Sequence, residues 1–181
     1  KETDLFISNS ALYENHALRG GAIYKTIGGN LELDNVTISD NSATEYAGGI
    51  YNKLEPNAIL KIKNSIISNN TAQEKGGGLF VEGNLPPDNE FIEIENTLIS
   101  NNYSATKCGS AYISFAERLH VFNSTITENQ SVEPCAQFNS FSNIQIDETL
   151  IVNSIFWNNI NETIEYPDDD ELSFICNFSN I

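Results

Sequence analysis

The chain has 181 residues, a hydrophobic content of 40% and a formal net charge of −16. So large a negative charge repels phosphate groups, which argues against nucleic acid as a partner and disfavours anionic membrane surfaces. No apolar run approaches the ~20 residues of a membrane-spanning helix.

A nine-residue pattern, with apolar residues at positions 1 and 6 and asparagines at positions 3 and 9, occurs six times. The copies occupy residues 7–15, 33–41, 62–70, 94–102, 121–129 and 151–159, at intervals of 26, 29, 32, 27 and 30 residues. A period of this length is typical of repeat proteins, in which each repeat packs against its neighbours. We therefore expect one elongated domain over residues 1–159.

Each period contains short segments with the features of β-strands. Residues 20–24, 47–51 and 76–80 read GGAIY, AGGIY and GGGLF, where glycine permits close backbone approach and the apolar end suits a strand. A polar turn follows, and then residues alternate strictly, as in Leu31-Glu32-Leu33. Three short strands per ~29 residues predict an all-β, single-stranded parallel β-helix of about six coils.

The asparagines have a structural interpretation. Asparagine tolerates the left-handed backbone of a sharp corner, and its amide can bond to the asparagine one coil along. We expect two ladders near the core that set the strand register. The first joins Asn9, Asn35, Asn64, Asn96, Asn123 and Asn153. The second joins Asn15, Asn41, Asn70, Asn102, Asn129 and Asn159. Asn35, Asn102 and Asn123 begin glycosylation sequons, which the ladders are expected to make inaccessible.

These glycine-rich and asparagine segments resemble the repeats of chlamydial polymorphic membrane proteins and, more widely, secreted β-helix proteins of the pectate-lyase-like superfamily. The resemblance covers roughly residues 5–159. It implies that the parallel β-helix is right-handed. It also implies a secreted or outer-surface protein, often an autotransporter passenger used in adhesion, with some polysaccharide-active members. The late coils depart from the pattern, since the glycine pair disappears and Gln137 replaces an aliphatic residue.

Residues 160–181 break the period and are expected to form a final irregular coil or cap. Pro167 interrupts the segment, and the acidic run at 168–171 lacks the spacing of a calcium loop, so a solvated surface is the simpler interpretation. The upstream end shows no cap, and the chain does not begin with Met. We therefore expect flanking coils of a longer parent chain.

Outward-facing charges should form columns along the stack. One column contains Glu32, Lys61, Glu93 and His120, and its neighbour contains Asp34, Lys63, Glu95 and Phe122. A charge ladder that relieves repulsion is the simpler interpretation. The alternative is a polysaccharide-active groove, in which Glu32 and Glu93 would lie ~9.6 Å apart, near the upper limit for an inverting pair. Lys61 or His120 would then transfer protons.

Two other features are candidate binding surfaces. Trp157 occupies a column of serines and threonines and should point outward, where it could stack on sugar rings unless residues 160–181 cover it. Pro86 and Pro87 stiffen the longest loop, which makes that loop a candidate contact edge, although tolerated length variation explains it as well.

The cysteines match no metal spacing, and we expect neither a metal nor a cofactor. Cys108 and Cys135 lie one repeat apart, and neighbouring coils are ~4.8 Å apart, within the range of a disulfide. A bridge would suit an extracellular setting, and two buried thiols are the alternative.

The sequence thus predicts a secreted or cell-surface binding and display stalk, with glycans or host and matrix proteins as partners. A carbohydrate-active enzyme and a purely structural spacer are the alternatives. Enzymatic activity is left open, although we favour its absence. A groove that binds uronates needs several basic residues to hold the carboxylates, and the whole chain contains only nine lysines and arginines.

Overall fold

The computed structural model describes residues 3–84, 89–136, 148–163 and 173–177, and these contain β-strands and turns but no helix. The strands, in chain order, are β1 (Leu5–Tyr13), β2 (His16–Ala17), β3 (Ile23–Lys25), β4 (Leu31–Ser39), β5 (Ser42–Ala43), β6 (Ile50–Lys53), β7 (Ile59–Lys63), β8 (Ile66–Ser68), β9 (Thr71–Ala72), β10 (Leu79–Glu82), β11 (Phe91–Glu95), β12 (Leu98–Ser100), β13 (Tyr103–Ser104), β14 (Ala111–Ser114), β15 (Arg118–Phe122), β16 (Thr125–Thr127), β17 (Gln130–Ala136), β18 (Glu148–Val152), β19 (Ile155–Trp157), β20 (Ile160–Thr163) and β21 (Ser173–Asn177).

The strands form three parallel sheets. The 11-stranded sheet has the order β19-β16-β12-β8-β4-β7-β11-β15-β18-β21, with β1 also paired to β4. The six-stranded sheet has the order β2-β5-β9-β13-β17-β20, and the four-stranded sheet has the order β14-β10-β6-β3. The strands of one coil pair with the equivalent strands of the next, so the chain is a parallel β-solenoid of about five turns. The predicted fold class, an all-β parallel solenoid, is confirmed, with about five turns where the sequence predicted about six coils.

A coil contains four strand segments rather than the three that the sequence predicts. The largest sheet bends in the middle, so that β7 and β8 of one coil lie on either side of a corner while β4 continues through it. Asn35 lies at this corner with φ 55°, as does Asn64 with φ 51°. The sequence-based prediction missed the fourth segment because a single residue with a left-handed backbone bends the strand without interrupting its hydrogen bonds to the neighbouring coils.

The lumen is filled by aliphatic side chains stacked in columns. Leu33, Ile62, Ile94, Val121 and Ile151 occupy one such column, each at most 1% exposed. Because strand residues alternate between the two faces of a sheet, every second residue of the alternating segments enters this core. Stacking therefore buries a continuous apolar column that no single coil could bury alone.

Glycine allows the coils to approach closely at the edge of the six-stranded sheet. A Cβ atom on Gly48 would lie 2.4 Å from the backbone nitrogen of Thr71 and 2.7 Å from the carbonyl oxygen of Gly77. Both atoms belong to the next coil and cannot rotate away. The repeated glycines of the sequence are thus required by contact between backbones.

A second apolar cluster lies on the outer face of the four-stranded sheet. Tyr24, Tyr51, Phe80 and Tyr112 occupy equivalent positions, and their successive ring centroids are 5.0, 5.2 and 4.9 Å apart. We call these four rings the aromatic stack. Tyr46 packs on Phe80 from the preceding loop, with centroids 4.9 Å apart. Three members are buried, whereas Tyr24 is 53% exposed.

The described parts of residues 160–181 continue the solenoid. β20 pairs in parallel with β17, and β21 pairs in parallel with β18. The boundary at residue 160 stays a prediction. Pro167 and the acidic run at 168–171 lie outside the described residues.

Candidate functional site

The second asparagine series forms a continuous inner ladder. At each rung the Oδ1 atom accepts hydrogen bonds from both the backbone N and the Nδ2 atom of the preceding asparagine, at 2.9–3.1 Å for Asn41 and Asn70. The same pair of bonds joins Asn15 to Asn41, Asn70 to Asn102, Asn102 to Asn129 and Asn129 to Asn159. From Asn41 to Asn129 the residues are buried. These buried rungs are a scaffold element and offer no contact surface to a ligand.

The first series forms an outer ladder that differs from its expectation. Nδ2 of Asn35 donates to Asn9, Asn96 donates to Asn64 and Asn153 donates to Asn123, at 2.7–2.8 Å. Nδ2 of Asn64, however, donates to Oδ1 of Asp34. All six side chains are exposed. The expected inaccessibility of the sequons at Asn35 and Asn123 is therefore wrong, because the chain turns these amides outward, whereas Asn102 is buried.

A ladder of hydroxyl groups, which sequence reasoning missed, lies one residue beyond the outer corner. Ser65, Thr97, Ser124 and Ser154 are buried, and the hydroxyl of each accepts a hydrogen bond from a backbone N–H of the preceding coil. The sequence does carry a signal for this column, because each of these serines or threonines directly follows the first asparagine of the motif. Like the inner ladder, this column satisfies backbone donors at a bend.

The outward charges lie in the expected register. Lys61 pairs with Glu32 on one side and with Glu93 on the other, and Glu93 pairs with His120. The close ion pairs, however, belong to Lys63, whose Nζ lies 2.9 Å from Glu93 Oε1 and 2.9 Å from Glu95 Oε2. These bonds to Glu93 and Glu95 raise the pKa of Lys63. With the Lys63 side chain 35% exposed, the pairs contribute little to stability.

His120 is the centre of a mixed cluster, of which the sequence indicated only the neighbouring rung at Glu93 and the adjacent column with Phe122. Its Nε2 atom lies 2.8 Å from Oε1 of Glu148, and its ring meets those of Phe91 and Phe122 edge-on, with centroids 4.9 and 5.5 Å apart. Arg118 stacks on Phe91, its Cζ 5.1 Å from the ring centroid. An imidazole held by a carboxylate beside the carboxylate of the next rung is chemically able to transfer protons.

The outward side chains become apolar at strands β18, β19 and β20. Strands β15, β16 and β17 present His120, Phe122, Thr125, Thr127 and Gln130, whereas the paired positions of β18, β19 and β20 present Leu150, Val152, Ile155, Trp157 and Ile160. We call the second set the apolar belt. Trp157 is 65% exposed, Ile155 46% and Ile160 50%. Exposed apolar groups that adjoin in this way mark contact surfaces.

The remaining candidates are only partly described. Pro86 and Pro87 lie outside the described residues, as does most of the 160–181 segment expected to cover Trp157. Cys108 is disulfide-bonded and buried, and its φ is +60°. The side chain of Cys135 is outside the described set, so their pairing stays a prediction.

The described ranges contain neither a metal-binding cluster nor a membrane-spanning helix. There, no three His, Cys, Asp or Glu side chains are grouped so as to hold a metal ion. Those ranges also contain no helix that could cross a bilayer.

Two segments of the repeat resemble the repeat of a known family. Residues 35–53 and 64–82 match the Chlamydia polymorphic membrane protein repeat. Both matches begin at an outer-ladder asparagine and end in a strand of the four-stranded sheet, so they cover equivalent parts of successive coils. The resemblance predicted from the sequence is confirmed over these two segments. No curated protein and no solved structure matches the chain.

Proposed function

We propose that this chain is part of a secreted or outer-surface β-helix that acts as an adhesin-like binding and display stalk. Its partners are glycans or proteins of a host surface or matrix. The observation that carries the proposal is the match of two successive coils to the polymorphic membrane protein repeat, which is consistent with a surface β-helix. The rigid ladders favour a display role, since they hold outward side chains at fixed spacing.

The apolar belt is the surface that we assign to binding. An aromatic ring with a free face stacks on sugar rings or on apolar protein surface, and Trp157 is 65% exposed. Aromatic residues of this kind dominate the energy of many interfaces. The strong negative charge favours neutral or cationic partners over anionic ones.

Binding can be tested by screening the chain against glycan arrays and matrix proteins, and then measuring affinities for variants. We expect Trp157→Ala to weaken binding at least about tenfold. Tyr13→Ala is a matched control, because Tyr13 lies in the same outward column at the opposite end of the stack and is 61% exposed. The absence of any ligand, or equal losses in both variants, would contradict the assignment and favour a structural spacer.

The second candidate is a carbohydrate-active enzyme of the pectate-lyase-like type. The specific observation in its favour is the 2.8 Å contact of His120 with Glu148, with Glu93 on the adjacent rung. Incubation with acidic and neutral polysaccharides should then release shorter chains, and His120→Ala and Glu93→Gln should abolish that release. Lack of depolymerisation by the unaltered chain across these substrates would reject this candidate.

A further inference from the structure

Five N-glycosylation sequons, in which a serine or threonine lies two residues after an asparagine, fall where the structure describes the side chains. They begin at Asn35, Asn69, Asn102, Asn123 and Asn129. In each of them the first and third residues lie on the same side of the coil, because an extended chain alternates between the lumen and the solvent. The fold therefore divides the sequons into an inward set and an outward set.

Two sequons face the lumen. Asn102 and Asn129 are rungs of the inner ladder, at 1% and 0% exposure, and Ser104 and Ser131, which end these sequons, are buried as well. Nδ2 of Asn102 uses both of its N–H groups, since it donates to Oδ1 of Asn129 and to the carbonyl oxygen of Ile67. A sugar on this nitrogen would replace one of these hydrogens and place a polar ring in the core, so the folded chain excludes it.

Three sequons face the solvent. Asn35, Asn69 and Asn123 are exposed, the threonine that ends each sequon is partly exposed, and the residue between them is buried. Asn35 and Asn123 belong to the outer ladder, where Nδ2 of Asn35 donates to Asn9 and Oδ1 of Asn123 accepts from Asn153. Asn69 lies outside both ladders, and its amide has no hydrogen-bond partner in the described part of the chain.

Asn69 occupies a corner that its backbone holds in place. Its φ is 56°, and its backbone N–H donates to the carbonyl oxygen of Ser100 in the next coil at 3.1 Å. The equivalent residue of that coil is Asn101, which is exposed and has a φ of 55°. Asn101 is followed two residues later by Tyr103, so it begins no sequon. The two asparagines therefore share their geometry and differ in the sequon.

We propose that Asn69 is an N-glycosylation site, which receives an oligosaccharide from a polyprenyl diphosphate through an oligosaccharyltransferase. Its Nδ2 atom attacks the anomeric carbon of the first sugar, and a carbon–nitrogen bond forms. The bond from that carbon to the diphosphate oxygen breaks, the diphosphate leaves, and the amide gives up one proton. The inference rests on the proposed secretion of the chain, because N-linked glycans belong to surface loops of secreted proteins. A glycan at this corner projects into solvent and leaves the core and both ladders unchanged.

Site mapping of the chain secreted from eukaryotic cells, with a signal peptide attached, tests the proposal. Peptide N-glycosidase releases the glycan and converts its asparagine to aspartate, which takes up heavy oxygen from labelled water. We expect the label at Asn69 and none at Asn102 or Asn129. A sample that is kept in labelled water without the enzyme corrects for spontaneous deamidation.

Substitutions at the third position separate the sequon from the corner itself. Thr71→Ala should reduce the label at Asn69 at least about tenfold, and Thr71→Ser should retain it, because only the hydroxyl variants keep the sequon. In the unaltered chain Asn101 is the matched control and should carry no label. Tyr103→Thr should make Asn101 an acceptor, and threonine suits this position because Tyr103 pairs with Thr71 in the adjacent coil. Circular dichroism verifies that the variants fold.

Two results would overturn the inference. The first is an unmodified Asn69 in the secreted, folded chain, and the second is labelling of Asn102 or Asn129 equal to that of Asn69, which would show that the fold does not select among sequons. Either result leaves the proposed function intact, because binding to glycans and matrix proteins is measured separately. A chain that is modified at Asn69 but binds no ligand would instead contradict the proposed function alone.

Discussion

At the scale of single residues, one amino acid performs two different tasks in this chain. Asparagine at the outer corners supplies a left-handed backbone, with φ between 48° and 55°, and its side chain stays in solvent. Asparagine of the inner ladder instead bonds to the coils on both sides from a buried position. Both are motif residues, but their energetic contributions should differ because only the second leaves buried groups unpaired when it is removed.

Replacement of one asparagine from each ladder tests this difference. Asn70→Ala removes four side-chain hydrogen bonds, two accepted from Asn41 and one each donated to Ile38 and Asn102. We expect it to lower the free energy of unfolding by about 3 kcal/mol. Asn64→Ala, in an exposed corner, should cost about 1 kcal/mol through its left-handed backbone. Urea denaturation measures the free energy of unfolding of both variants. Equal losses would contradict the difference between the inner and the outer ladder.

At the scale of elements, contact between backbones limits what the glycine-rich turns can accept. Gly48→Ala would place a Cβ atom 2.4 Å from the Thr71 nitrogen and 2.6 Å from its carbonyl oxygen, so two coils would have to separate. We expect a loss of about 3 kcal/mol in the free energy of unfolding. Thr44→Ala, on an exposed residue of the same loop, is the control and should be nearly neutral. A tolerated Gly48→Ala would show that the coils are less closely packed.

The aromatic stack should make the chain sensitive to alkali. Burial raises the pKa of Tyr112 from 10.0 to about 12, and burial together with the hydrogen bond to Glu82 raises that of Tyr51. The folded state therefore retains phenol protons that the unfolded chain releases. Because the unfolded state then binds fewer protons, the free energy of unfolding should fall as the pH rises from 10 to about 12.

Urea titrations at increasing pH measure this decline. Tyr112→Phe should make it shallower, because phenylalanine carries no titrating hydroxyl. Thr44→Ala, which changes an exposed residue that carries no titrating group, is the control and should leave the slope nearly unchanged. A slope that is the same in the unaltered chain and in Tyr112→Phe would show that the buried ring does not contribute.

At the scale of the whole molecule, the period of the sequence was sufficient to predict the architecture. The six asparagine motifs predicted the coils, and the alternation of segments such as residues 60–62 predicted which side chains enter the lumen. The charge columns followed from the same alignment, because parallel strands of equal length place equivalent residues side by side.

Features that depend on neighbouring side chains could not be predicted in this way. The exposure of Asn35 depends on the direction in which the corner turns, and the contact of His120 with Glu148 depends on rotamers. The buried amide of Asn52 lacks a hydrogen-bond partner among the described residues, and the sequence gives no sign of this, since a single asparagine in a strand resembles the many others in the chain. Periodicity specifies which residues are adjacent, whereas hydrogen bonding depends on their geometry.

The central claim is that coils stack in register through amide hydrogen bonds. Scalar couplings transmitted across hydrogen bonds, measured by nuclear magnetic resonance, test it most directly. The account predicts couplings from the backbone nitrogen of Asn41 to the side-chain carbonyl carbon of Asn70, and from Asn70 to Asn102, where the N–Oδ1 distances are 3.1 and 3.0 Å. Couplings of these nitrogens to other carbonyl groups, with none between the asparagines, would contradict the stacked arrangement.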